Sequence, residues 1–291
     1  MATTTTGHEI YADRFISGLT KGLAPLRQFS LDFSNEAKQP GQTVNVQLVS
    51  PDAAAAWNAS SNNFERSATT VSQVAITFGT ASIAGFAITP AQALVFRPSW
   101  WIGKADLNVA EICDSALDDV AALVTAENYG DEAADKVSIA LGAMSRKAVS
   151  TIRSKAIAKK LRINRSTLVL NPDYFSALLG DLDANVYGGR EAIVGGAIPG
   201  LLGFAAVCEM PQLTIPGFVA QSDAIACASR AFRPVRDTPY DLVQEITEPE
   251  TGITCVHVEY MAGATGALSD SVTLLFKAAV GNGDALLRIV A

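Results

Sequence analysis

The side chains with the widest chemical reach in this chain are two histidines and four cysteines. His8-Glu9 begins like the zinc-protease motif His-Glu-x-x-His, but the second ligand position holds Ala12, so the helix-borne pair of imidazoles is incomplete. His257 lies in an alternating apolar stretch with no Gly-x-Ser-x-Gly elbow beside it. It reads as a satisfied strand residue, not as the base of a Ser–His–Asp site. Cys113, Cys208, Cys227 and Cys255 are far apart and form no Cys-x-x-Cys pair, so they read as buried, reduced thiols. With this inventory no zinc site is expected. Asp181-x-Asp183-x-Asn185 looks like the first half of a calcium loop, yet Val186 stands where Gly is needed and Ala192 where Glu is needed. Residues 188–203 are Gly-rich but carry neither Gly-x-Gly-x-x-Gly nor a following Lys-Ser or Lys-Thr, which argues against a phosphate cradle. Asp118 and Asp119 are adjacent on a predicted helix and point in different directions, so they do not make a shared acid–base site. No catalytic residue, cofactor or metal is expected.

Composition narrows the class further. The chain has 291 residues, enough for a large buried core, with 49% hydrophobic and only 18% charged residues. Low charge with abundant Ala, Gly and Thr suggests a surface partly covered by other copies of the chain. A net charge of −7 argues against a free-standing nucleic-acid binder, which needs clustered Lys and Arg. Residues 67–96 contain no charge, but Ser, Thr and Gln recur through them and Pro90 interrupts them, so a long strand pair is expected there instead of a membrane span. Residues 1–7 lack a basic start and an apolar core, so no secretory signal and a cytoplasmic site of assembly are expected.

The elements that would carry these residues can be read from periodicity. Phe15, Ile16, Leu19 and Leu23 form an apolar stripe in an otherwise polar segment, 1–42, which suggests an arm with one short helix. Val44, Val46 and Leu48 alternate with polar residues, as do Val74, Ile76 and Phe78, around a polar tip at residues 51–67. Two such runs make a hairpin that is marginal alone and should lie on a neighbour. Two helices are expected next, with stripes Ala110, Cys113, Leu117, Val120, Val124 and Val137, Leu141, Met144, Ala148, Ile152. Residues 105–135 hold nine acidic and no basic residues, whereas residues 136–172 hold nine basic and no acidic ones. The helices could lie side by side in one copy, each could face the opposite block on a neighbour, or the basic helix could face DNA. No aromatic residues are interleaved with the basic ones, which disfavours base recognition. After Arg236 the pattern is β-like: a hairpin turning at residues 248–252, a strand at 271–278 and an apolar end at 286–290.

Between residues 164 and 233 a specific order of pieces stands out. The apolar run ending Leu170-Asn171-Pro172 is followed by Tyr174, Leu178-Leu179, Gly188-Gly189 and Gly200-Leu201-Leu202-Gly203. This order resembles the tailed-bacteriophage major capsid (coat) protein family, with its Hong Kong 97-like fold. The motifs are strand and turn patterns and not catalytic signatures, and the resemblance covers most of the chain in order of elements. It implies an α+β fold divided into an N-terminal arm (1–42), an extended E-loop hairpin (43–90), a P-domain with a long spine helix (91–165) and an A-domain with a central sheet (166–235). A β-hairpin and return to the P-domain (236–275) and a C-terminal strand back in the A-domain (276–291) would follow. The Gly-rich stretch would point to the centre of a capsomer.

The function implied is a structural one, self-assembly into an icosahedral virion shell enclosing double-stranded DNA. The partners implied are copies of the chain in pentamers and hexamers, portal, scaffolding or decoration proteins, and packaged DNA by proximity. An encapsulin-like bacterial compartment shares the fold and is the alternative; an enzyme with an unrecognised site is the reading from another class. Candidate subunit contacts are Trp100 and Trp101 as aromatic anchors, equally placed to pack at the start of the spine helix, and the charged residues Asp118, Asp119, Arg146, Lys147, Arg153, Lys159 and Lys160.

Overall fold

The computed structural model describes residues 7–37, 39–48, 72–93, 98–181, 197–199, 201–232, 241–248, 251–262 and 266–291. Its first half contains α1 (Gly7–Gly22), β1 (Ser30–Ala37), β2 (Thr43–Leu48), β3 (Ser72–Thr77), β4 (Ser82–Ile88), the single turn α2 (Pro90–Ala93), α3 (Pro98–Ala121), the single turn α4 (Ala126–Tyr129), β5 (Lys136–Ser138) and α5 (Arg146–Ala158). The second half contains β6 (Ser166–Leu170), α6 (Pro172–Asp181), β7 (Ala197–Pro199), β8 (Ala206–Glu209), β9 (Gly217–Gln221), β10 (Ile225–Ala231), β11 (Leu242–Thr247), β12 (Thr254–Ala262), β13 (Ala267–Val280) and β14 (Leu286–Val290).

Strand alternation builds the layers. One sheet runs β5-β14-β9-β6-β8-β7. Leu168 and Leu170, Val219, Leu287 and Ile289 point to one of its faces, where Val149, Ile152 and Ala156 of α5 and Tyr174, Phe175 and Leu178 of α6 cover them. The intervening residues Val169, Phe218, Ala220 and Leu286 point the other way, into a core shared with α1 and α3. The second sheet runs β1-β10-β13-β12-β11, with β4 also paired to β13. It is two-faced in the same manner. Ile225, Cys227, Leu274 and Phe276 enter the shared core, whereas Ala226, Ala228 and Leu275 meet Val46, Ile76 and Phe78 of the β2–β3 pair. The α5/α6 layer, first sheet, shared core, second sheet and hairpin therefore follow one another through the subunit.

Close backbone approach fixes α1 on α3. Gly18 and Gly22 lie four residues apart on one face of α1. A Cβ at Gly18 would meet Val109 Cγ1 at 2.5 Å, and one at Gly22 would meet Cys113 Sγ at 2.5 Å. Phe15, Leu19 and Leu23 on the neighbouring arc are fully buried, as is Leu26 in the 3-10 turn that follows. A similar economy of side chains occurs where β4 joins β13. Gly85 pairs with Ser271, and a Cβ there would lie 2.5 Å from the Asp270 carbonyl oxygen.

Several expectations need correction. The helix expected in residues 1–42 is present, but it is not carried on a free arm: its apolar stripe lies in the subunit's own core, and β1 joins the second sheet parallel to β10, Ser30 opposite Ala226. The hairpin at residues 43–78 lies on its own subunit, because Val46, Ile76 and Phe78 need a dry face and β10 and β13 offer one. Its polar tip is outside the described residues. The strand pair expected within residues 67–96 is present as β3 and β4, but the two do not pair with each other: β3 pairs with β2, and β4 with β13.

The helical stripes also shift. Ala110 is exposed, and Ala105, Val109, Ile112 and Ala116 are buried, because α1 widens the covered arc of α3. The basic helix starts only at Arg146, with the Ser145 hydroxyl as N-cap accepting from Ala148 N–H at 3.3 Å. Val137 belongs to β5, paired parallel with β14, and Leu141 is 45% exposed. Residues 136–165 therefore pack with the central sheet and not with the long helix, while β10, expected with the central sheet, pairs in the other one. The Leu201–Gly203 segment is a 3-10 turn that leads into β8, with Leu202 at φ 49° and Gly203 at φ 86°.

Candidate subunit-contact surfaces

The groups that could do chemistry are occupied in the interior. His257 Nε2 lies 3.0 Å from Asp270 Oδ1 across β12 and β13, both side chains fully buried, which agrees with the reading of a strand residue engaged in the interior. All four cysteines are free and buried. Burial, with a smaller contribution from the Asp114 charge, pushes the Cys113 thiol up to about 12. Burial also pushes Cys208 up to about 11, and raises Cys227 and Cys255 further. The nucleophilic thiolate is thus suppressed at every cysteine. Among the described residues no group of three His, Cys, Asp or Glu could hold a metal ion. Asp181 instead accepts a hydrogen bond from Arg146 N–H at 2.8 Å, tying the end of α6 to the start of α5; Asp183 and Asn185 lie outside the described residues. No helix of the described residues is long and apolar enough to cross a membrane.

A cleft of about 410 Å³ opens between α1, α3 and the end of β8. Its floor includes Gly18, Gly22, Cys113 and Cys208, and its rim includes Lys21, Glu209 and Gln212. Gln212 Nε2 donates to Asp114 Oδ1 at 2.6 Å. With its thiols held protonated and Asp114 engaged by an amide, the cleft presents no activated nucleophile.

The expected contact residues separate into two groups. Trp100 is half-buried and packs edge-on against Phe86 of β4, centroids 5.0 Å apart, with Lys104 Nζ 5.8 Å from its ring centroid. Its role as a packing residue at the start of the long helix is visible; the side chain of Trp101 lies outside the described residues. Asp119 pairs with Lys277 Nζ at 2.8 Å, joining α3 to β13. Lys159 is 8% exposed and donates to both Asp135 Oδ1 and the Leu286 carbonyl, each at 2.8 Å. Lys159 and Asp119 thus bind elements of their own subunit together.

Asp118, Arg146, Lys147, Arg153 and Lys160 are exposed. Among the described residues the two charge blocks pair near their junction, through Lys159–Asp135 and through Lys136–Asp131, each at 2.8 Å. The Lys136 ammonium, hydrogen-bonded to Asp131, holds that carboxyl below its ordinary range, with the Arg288 guanidinium assisting. The helices do not lie side by side: the stripes of α3 and α5 belong to different cores.

Sequence reasoning missed the outward stripes on these helices. On α3, Leu107, Glu111, Asp114 and Asp118 are exposed at steps of four, three and four. On α5, Arg146, Ser150, Arg153 and Ile157 are exposed at steps of four, three and four. Leu107 is 61% and Ile157 48% exposed. The signal was available as the complement of the buried stripe, once that stripe had been placed correctly.

No family model matches the chain, and no curated protein matches it. Among solved structures it is similar to the capsid of cyanophage P-SCSP1u, at 11% identity, over 91% of this chain and 86% of that one, with a TM-score of 0.52. It is similar to the capsid of Ralstonia phage GP4, at 9% identity, over 92% and 87%, with a TM-score of 0.53. The virus-like particle from Pyrococcus furiosus shares 12% identity over 95% of this chain and 96% of that one, with a TM-score of 0.50. At these identities the likeness is one of fold: the chain has the α+β, Hong Kong 97-like fold of tailed-phage major capsid proteins.

Proposed function

We propose that this chain is a major capsid protein, the repeated subunit of a closed icosahedral virion shell that encloses double-stranded DNA. The observation that carries the reading is the extent of the fold likeness. It runs over about nine-tenths of the chain and of each shell subunit compared, so the same set of elements is present with no large remainder on either side. Such a subunit acts by geometry: one patch meets a different patch on the next copy, and closed rings with curvature complete the shell. In this reading β2 and β3 form the base of the E-loop. The helix α3 and the strands β11 to β13 belong to the P-domain, and the sheet containing β6, β9 and β14 is the core of the A-domain. Portal, scaffolding or decoration proteins would be the further partners of such a subunit.

A compartment of the encapsulin type is the second reading, favoured by the likeness to the Pyrococcus furiosus particle over nearly the whole of both chains. Electron microscopy of the purified full-length chain tests the shared claim, with closed shells of uniform diameter as the expected result. Persistent monomers or dimers at every salt and pH tried would overturn it. Nuclease-protected DNA inside particles from the native source favours the virion; enclosed protein cargo without DNA favours the compartment.

A further inference from the structure

Resting on the shell reading, we infer that the acidic outer stripe of α3 on one copy docks against the basic outer stripe of α5 on the next. The stripes match in length. Leu107 to Asp118 and Arg146 to Ile157 each cover eleven residue steps, roughly 17 Å at ~1.5 Å per residue. They are opposite in sign, with Glu111, Asp114 and Asp118 on one side and Arg146 and Arg153, beside the exposed Lys147, on the other. Each also carries one large exposed aliphatic side chain, Leu107 or Ile157, which a contact would remove from water.

The fold prevents these stripes from meeting within one copy. The helix α5 covers one face of the central sheet, through Val149, Ile152 and Ala156 against Leu168, Val219 and Leu287. The buried stripe of α3 lies in the core that receives the opposite face of that sheet, through Val169 and Phe218. Complementary patches that cannot meet within a subunit give a head-to-tail contact between copies, the kind that closes into rings. No ion pair within the subunit engages Glu111, Asp118, Lys147 or Arg153 among the described residues.

Nucleic acid is the competing occupant of α5. It would leave the acidic stripe of α3 without a counterpart, and α5 has no aromatic residue on which a base could stack. A second copy accounts for both stripes together. The charges would select partner and orientation, and the contact would weaken as salt screens it over roughly 10 Å at 0.1 M ionic strength.

The test uses three variants of the full-length chain: Glu111→Lys with Asp118→Lys, Lys147→Glu with Arg153→Glu, and all four changes together. Because all four residues are exposed, thermal melts should match the wild type, which separates assembly from folding. Shell yield, measured by light scattering and electron microscopy, should fall roughly tenfold in each two-residue variant and recover in the four-residue variant. Unchanged yields in either two-residue variant would overturn the pairing, as would a four-residue variant no better than they are. Normal shells that lose only their nucleic acid in the Lys147→Glu, Arg153→Glu variant would reassign that face to DNA and also overturn it. A wild-type chain that never forms shells defeats the shell reading itself, a separate outcome.

Discussion

Helices α3 and α5 lie on either side of one sheet, and they are held in unlike ways. The helix α3 is gripped from several directions: its Val109 and Cys113 side chains press on α1 at Gly18 and Gly22, β4 and β13 flank it, and Asp119 is tied to Lys277. The helix α5 is a cover on one face, fastened by Val149, Ile152 and Ala156 and by ties at its ends, from Ser145 and Asp181 to Lys159. A helix gripped from several directions mainly carries load and keeps one outward stripe for a partner. A helix fastened along one stripe leaves most of its circumference for something else. The contrast separates residues whose loss unfolds the subunit from residues whose loss changes what it meets.

The strongest way to break that contrast is to empty both cores. Ile112 on α3 is 1% exposed and Ile152 on α5 is 0% exposed. Replacing either by Ala should cost about 2–5 kcal/mol in chemical denaturation. Because β6, β9 and β14 send alternate residues into the two cores, both variants should unfold in one transition, coincident by circular dichroism and tryptophan fluorescence. An early, separate transition in Ile152→Ala would make α5 and its neighbours an independent unit. The next effect distinguishes the inner and outer charges of the α5 region. Lys159→Ala removes a buried cation from Asp135 and the Leu286 carbonyl and should cost about 1.5–3 kcal/mol. Arg153→Ala, on the exposed face, should remain within about 0.5 kcal/mol of the wild type.

The grip of α1 on α3 can be tested by filling it. Gly18→Val should cost about 1–3 kcal/mol, because the new side chain meets Val109. Val109→Ala in the same chain should recover part of that loss, and the coupling in the double-mutant cycle is the measurement. Additive losses would show that α1 is not held by this contact.

How much of this was legible beforehand depended on how locally each feature is determined. The strand ending at Leu170-Asn171-Pro172 and the helix after it were readable, because Pro172 fixes the boundary and Asn171 Oδ1 accepts from Tyr174 N–H at 3.1 Å. The β11–β12 hairpin was readable from its alternation and turn. The start of α5 was not, since Val137, Leu141 and Met144 mimic a helical stripe while Val137 is drawn into β5 by pairing with β14, which lies about 150 residues further on. The packing of α1 into the core was hidden for a similar reason. Its Gly-x-x-x-Gly spacing is a local signal, but what it presses on lies about 90 residues away. Of the expected contact residues, Lys159 and Asp119 proved inward-tied, because a charge run shows the sign of a surface and not which members have partners inside. Hence the outward stripes, including Leu107 and Ile157, needed the structure.

The smallest effect at neutral pH concerns the thiols, and it again separates the two helices, since Cys113 lies on α3 and α5 carries none. Burial raises Cys113 from an ordinary value of 9.0 to about 12, so the folded state holds its proton more tightly than the unfolded chain does. The stability associated with that proton is fully present below the unfolded value and is lost as pH rises above 9.0 toward 12. Cys208, raised to about 11, and Cys227 and Cys255, raised further, act in the same sense. The native chain should therefore resist iodoacetamide at neutral pH and react with it only as fast as the subunit unfolds. Alkaline titration should lower the melting temperature from about pH 9 upward, and the Cys113→Ala variant should show a shallower decline. Rapid labelling of Cys113 in folded protein at neutral pH would mean that the α1–α3 contact opens readily, and the distinction between an enclosed helix and a covering one would weaken accordingly.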